Sequence, residues 1–139
     1  MPRITAIAAS ASRFEYIWPV GSSALCLNPC CEARLLDADM ETNWTKRRWN
    51  AGRHAPVTLR LELDAPAAGL ELCPDMEPEA GQVSLVIVDE ATGQRCAHIG
   101  HWRDAEWVPI ALPSPNTRRL RIEFVSSPSW IAVRAMRFA

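Results

Sequence analysis

The sequence has little lysine and little tyrosine: one residue of each, against fourteen arginines and six tryptophans. It has no excess of charge of either sign. Fifteen basic and sixteen acidic residues leave a formal net charge of −1, which excludes binding to nucleic acid or an acidic membrane through bulk charge. It lacks any run of the roughly 18 apolar residues that a membrane-spanning helix needs. The opening stretch MPRITAIAASASRFEY is broken by Arg3, Ser10, Ser12 and Arg13, so it lacks the apolar core of a secretory signal. The expectation is synthesis in the cytoplasm without export. Catalytic signatures are missing as well: there is no G-x-S-x-G elbow, phosphate-binding loop or H-E-x-x-H. His98-x-x-His101 has no carboxylate at a persuasive spacing apart from Asp104. The expectation is a protein that is not an enzyme.

Five cysteines, at 26, 30, 31, 73 and 96, are an odd number, which favours free thiols over a disulfide framework. Cys26-x3-Cys30-Cys31 lacks the second matching pair of a tetrahedral zinc site. Small buried hydrophobes are the simpler reading. Hydrophobic residues make up 48% and charged residues 22% of 139 residues. That suits one globular domain with a core of its own.

Helical periodicity is almost absent, whereas strand periodicity is clear. In Pro56–Asp64, Val57, Leu59, Leu61 and Leu63 alternate with polar residues, and in Thr117–Val125 so do Leu120, Ile122 and Phe124. Each predicts a half-buried strand. Gln82–Asp89 is more continuously apolar and predicts a central strand. Glu106–Leu112 predicts a strand whose Pro109 belongs at an edge or bulge. In Trp130–Phe138 the apolar phase shifts, which predicts a bulge near Arg134–Ala135. Turn-forming clusters separate these runs, and the spacing reads as an all-β sandwich or barrel. The exception is Asn28–His54, a loop long enough to suggest a function.

Within that loop, Leu35-Leu36-Asp37-Ala38-Asp39-Met40-Glu41-Thr42-Asn43-Trp44 resembles the hallmark of discoidin domains, the coagulation factor five/eight type C domains. The pattern is roughly L-x-D-G-D-x-x-T-x-W. The strands that follow keep the family's order, through Gly69–Cys73, Thr92-Gly93 and Arg118–Phe124 to Ser129–Val133. The resemblance implies an antiparallel jelly-roll β-sandwich of about eight strands, galactose-binding-like and akin to carbohydrate-binding modules. It covers residues 20–139, behind an N-terminal apolar segment (1–19) that is a docking element or a first strand.

The resemblance also implies a calcium loop, with Asp37 and Thr42 as ligands and Asp39 bracing the turn. Two departures weaken it. Ala38 replaces a glycine, and Ala135 stands where the family often supplies a Glu. The reading therefore favours a hydrogen-bonded loop without metal, with Arg134 as a candidate partner for Asp37 or Asp39. Trp44 and Trp130 are read as structural.

Family members bind ligands with loops at one end of the sandwich. The candidate residues here are Arg47, Arg48, Trp49 and His54 in one loop, and His101, Trp102 and Arg103 in another. Tryptophan stacks on the C–H face of a sugar, and Arg and His bond its hydroxyls. Trp and Arg are equally common anchors for protein partners. Two functions follow. The first is a structural or attachment subunit of a larger assembly, such as a bacteriophage tail, baseplate or capsid decoration. Its partners would be other protein subunits or copies of itself, docked through Ile4–Ala11 and Ile17–Pro19. The alternative is a stand-alone carbohydrate-binding module with a glycan partner.

Overall fold

The computed structural model describes residues 2–11, 15–16, 25–26, 49–76 and 78–139. The discoidin-like motif with Asp37, Asp39, Thr42 and Trp44 lies outside the described residues, as do Arg47, Arg48, Trp18, Cys30 and Cys31.

The architecture is all-β and antiparallel. A five-stranded sheet runs in the order β1 (Ile4–Ala9), β5 (Val57–Ala67), β10 (Thr117–Ser126), β7 (Ala80–Asp89) and β8 (Arg95–Arg103). Against it lies a four-stranded sheet, in the order β4 (Trp49–Asn50), β11 (Ala132–Phe138), β6 (Gly69–Pro74) and β9 (Val108–Ala111). A short ladder joins β2 (Glu15–Tyr16) to β3 (Leu25–Cys26).

The alternation seen in the sequence sets the faces. Val57, Leu59, Leu61 and Leu63 of β5 point inward, with Leu120, Ile122 and Phe124 of β10 and Val83, Leu85 and Ile87 of β7. Leu70 and Leu72 of β6, Ile110 of β9, and Val133, Met136 and Phe138 of β11 meet them from the other sheet. Each such side chain, fully buried, contributes roughly 1.5–3 kcal/mol of transfer free energy. As expected, β7 is an interior strand of its sheet, and Pro109 sits on the edge strand β9, where a missing N–H costs no ladder bond.

The predicted bulge is present. Val133 pairs with Pro74 and Ala135 with Cys73, so Arg134 is the extra residue. A bulge re-aims a side chain, and here the re-aimed side chain is that of Arg134.

Strand β1 matches one of the two readings of the N-terminal segment, that of a first strand: it pairs along β5, with Ile7 opposite Leu61 and Ala9 opposite Leu59. One expectation is corrected. The segment His98–Asp104, expected as a loop, is mostly strand β8, paired with β7 from Ala80–Arg103 to Val88–Arg95. The reason is that β8 inverts the usual pattern. Its inward positions are Cys96, His98, Gly100 and Trp102, while its most hydrophobic aliphatic residue, Ile99, is 68% exposed. Pairing with β7 sets this register, because a slip of one residue would turn Trp102 to solvent.

Trp102 Nε1 donates to His98 Nε2 at 3.0 Å. Gly100 makes room for that bond, since a Cβ there would lie 2.9 Å from His98 Nε2. The acceptor nitrogen must be unprotonated, and burial lowers the His98 pKa below its ordinary 6.5. The unfolded chain therefore takes up a proton at a higher pH than the folded one. Stability from this pair is fully present above the ordinary imidazole pKa and is lost as pH falls from there through the lower folded value. Thermal melts between about pH 7.5 and 5 should show this decline, and His98→Gln should flatten it. A wild-type midpoint that rises on acidification in this window would contradict the assignment.

Candidate functional site

Four connections meet at one end of the sandwich. They are residues 51–56 after β4, Asp75–Met76 with Pro78–Glu79 after β6, residues 104–107 after β8 and residues 127–131 after β10. Backbone bonds lace them together. Ala51 donates to the Ile131 carbonyl at 2.8 Å and Ile131 to the Arg53 carbonyl at 3.0 Å. Asp104 donates to the Glu79 carbonyl at 2.7 Å and Ala105 to the Pro74 carbonyl at 3.0 Å. Ala105 holds a φ of 60°, uncommon for a residue with a Cβ. Pro128 packs on Gly81 so closely that a Cβ there would lie 2.4 Å from the proline ring.

These loops enclose an open groove of about 950 Å³, bordered by Asn50, His54, Asp75, Glu79, Asp104 and Trp130 among others. Trp130 is 45% exposed, and its neighbouring backbone is clamped by the Ile131–Arg53 bond. Beneath the groove the bulge delivers Arg134, which is buried. Its Nη2 lies 3.0 Å from Asp75 Oδ1 and 3.3 Å from each carboxylate oxygen of Asp104. Asp104 Oδ1 also accepts from the Met76 N–H at 2.9 Å. One buried guanidinium thus holds two loops in a set relation. Asn50 Oδ1 accepts the Gly52 N–H at 2.8 Å, which shapes the third.

The candidate residues separate sharply. His54 borders the groove and is exposed. Trp49 and Trp102 do not line it: they are 0% and 3% exposed and pack on Phe124, Trp49 tilted and Trp102 edge-to-face, with ring centroids at 6.1 and 6.5 Å. Trp49 Nε1 donates to the Ala11 carbonyl at 3.1 Å. Buried to this degree, these rings leave no face for a ligand. His101 and Arg103 project from the outer face of β8, away from the groove. Arg47 and Arg48 lie outside the described residues.

Trp130, read as structural, is instead the aromatic at the groove. The signal was local: Ser126-Ser127-Pro128-Ser129 directly before it is turn composition, so Trp130 precedes the closing strand.

Among the described residues no group of three or more His, Cys, Asp or Glu side chains is placed to hold a metal ion. Cys73 and Cys96 are free thiols. Burial pushes the Cys73 thiol up to about 11, which keeps it protonated and inert. A smaller cleft of about 460 Å³ lies along Glu71, Pro109 and Arg137. The aromatic near it, Trp107, is already covered by the Arg137 guanidinium, 4.0 Å from the ring centre, and Arg137 is itself bound to Glu71 at 3.1 Å.

No family model matches the chain, and no curated protein matches it significantly. Solved structures do. A pectin-binding carbohydrate-binding module is similar with a TM-score of 0.65 at 14% identity, covering 99% of this chain and 91% of that one. The CBM32 of AlyQ, solved in complex with 4,5-unsaturated mannuronic acid, matches with a TM-score of 0.65 at 14% identity over 100% of this chain and 98% of that one. The family 32 module of C. perfringens NanJ, in complex with galactose, matches with a TM-score of 0.62 at 10% identity over 99% and 98%. The chain has the discoidin-like, galactose-binding-like β-sandwich fold. The family resemblance read from residues 35–44 and the strand order therefore led to the right fold. In this discoidin-like chain the laced loops and the groove occupy one end of the sandwich.

Proposed function

We propose that this is a non-catalytic glycan-binding domain that uses the groove at the Trp130 end. The observation that carries the reading is a half-exposed tryptophan at the edge of a preorganised groove bordered by carboxylates, an imidazole and an amide. Such a set provides an apolar platform for a sugar's C–H face and polar groups for its hydroxyls. The fold shared with carbohydrate-binding modules supports it. The assembly reading is the weaker of the two, because the similar solved structures are carbohydrate-binding modules.

Titration with neutral mono- and disaccharides, followed by tryptophan fluorescence and calorimetry, tests the proposal. Trp130→Ala should weaken binding about tenfold or more, as loss of a principal anchor does. It should lower the melting temperature less than deletion of a fully buried aromatic, because the residue is 45% exposed. Equal binding by wild type and variant would refute the assignment of the site.

A further inference from the structure

Each connection around the groove carries the chain from one sheet to the other. Residues 51–56 join β4 to β5, residues 127–131 join β10 to β11, residues 75–79 join β6 to β7, and residues 104–107 join β8 to β9. The strands they link stand in matching order, β5-β10-β7-β8 in one sheet and β4-β11-β6-β9 in the other. The crossings are therefore lined up side by side across the end of the sandwich. Backbone bonds join each to the next. Ile131 donates to the Arg53 carbonyl at 3.0 Å, Asp75 to the Ala132 carbonyl at 3.0 Å and Asp104 to the Glu79 carbonyl at 2.7 Å. Neighbouring strands lie about 4.8 Å apart, so the row spans roughly 14 Å.

The groove borders residues from all of these crossings. His54 belongs to the first, Trp130 to the second, Glu79 to the third and Asp104 to the fourth. A site for a single sugar closes round one ring. This trough is open, extends past Trp130 on both sides, and at about 950 Å³ has room for several pyranose rings. We propose that it takes at least three consecutive sugars of a glycan chain, not one terminal residue. Trp130 lies beneath the middle sugar, His54 beside the sugar on the β4 side and Glu79 beside the sugar on the β7 side. The imidazole and the carboxylate are exposed and bond hydroxyls on the outer sugars. The proposal rests on the glycan reading of this groove.

The test is calorimetry with galactose and its linear oligomers up to the tetrasaccharide, and with glucose and the cello-oligosaccharides alongside. The expected result, in at least one series, is an affinity about tenfold higher for each sugar added up to the trisaccharide, and level thereafter. Trp130→Ala should weaken every member of that series. His54→Ala and Glu79→Ala should each lower the ratio of trisaccharide to monosaccharide affinity about tenfold. Both should retain the wild-type melting temperature, because both side chains are exposed. If a monosaccharide binds as tightly as its trisaccharide, or if neither variant changes the ratio, the proposal is overturned and the glycan reading stands. Binding of none of these sugars would remove both.

Discussion

Replacing Trp49 with alanine is expected to destabilise the fold by about 3–5 kcal/mol, the range for deleting a large buried aromatic. Trp49 is fully buried, packs at a tilt on Phe124 and donates to the Ala11 carbonyl, so its loss removes packing, a hydrogen bond and a tie to the segment after β1. Against a typical total of about 5–15 kcal/mol, that is a large share of the whole. Chemical denaturation with a matched Trp49→Phe variant checks the mechanism. Phe keeps most of the volume and loses the N–H, so it should recover a large part of the stability. Both variants, where folded, should keep any sugar affinity seen in the wild type. A Trp49→Phe variant that is stable but no longer binds sugar would return this residue to the site.

The second large effect is expected at Arg134. Substitution by methionine keeps most of the side-chain volume and removes the charge that Asp75 and Asp104 share. Removing one partner of a buried pair costs about 3–5 kcal/mol. Here the two carboxylates keep some contact with water, so about 3 kcal/mol is expected. Melting curves of Arg134→Met would show the loss, and Asp104→Asn in the same background should relieve part of the defect. A defect that Asp104→Asn does not relieve would mean that Arg134 acts by packing alone.

These two residues show how far the sequence could be read. The alternation of Val57 to Leu63 and of Leu120 to Phe124 is a period-two signal, and both runs are strands with the expected face inward. The phase shift after Val133 located the bulge, because a bulge displaces every later side chain by one position. Strand β8 was missed because alternation is legible only when the inward residues are the apolar ones. Its inward set is Cys, His, Gly and Trp, and Ile99 points to water. Trp49 and Trp102 were misplaced for a related reason. A tryptophan beside arginines has the same local composition in a binding loop and in a core strand, and burial is decided by the sheet packed over it.

The sequence by itself determined the class: short strands of an all-β sandwich, free thiols at Cys73 and Cys96, and a discoidin-like fold that the solved structures share. Periodicity, turn chemistry and motif order are local properties, and they survive in a string of residues. Only the tertiary structure decided the groove. Asn50 comes from β4, and His54, Asp75, Glu79, Asp104 and Trp130 come from four separate connections, brought to one end by the pairing of strands distant in sequence. Their charges acquire meaning from Arg134, whose direction is set by one extra residue in β11. Convergence of that kind arises from long-range pairing, which leaves no mark on the spacing of the residues it assembles.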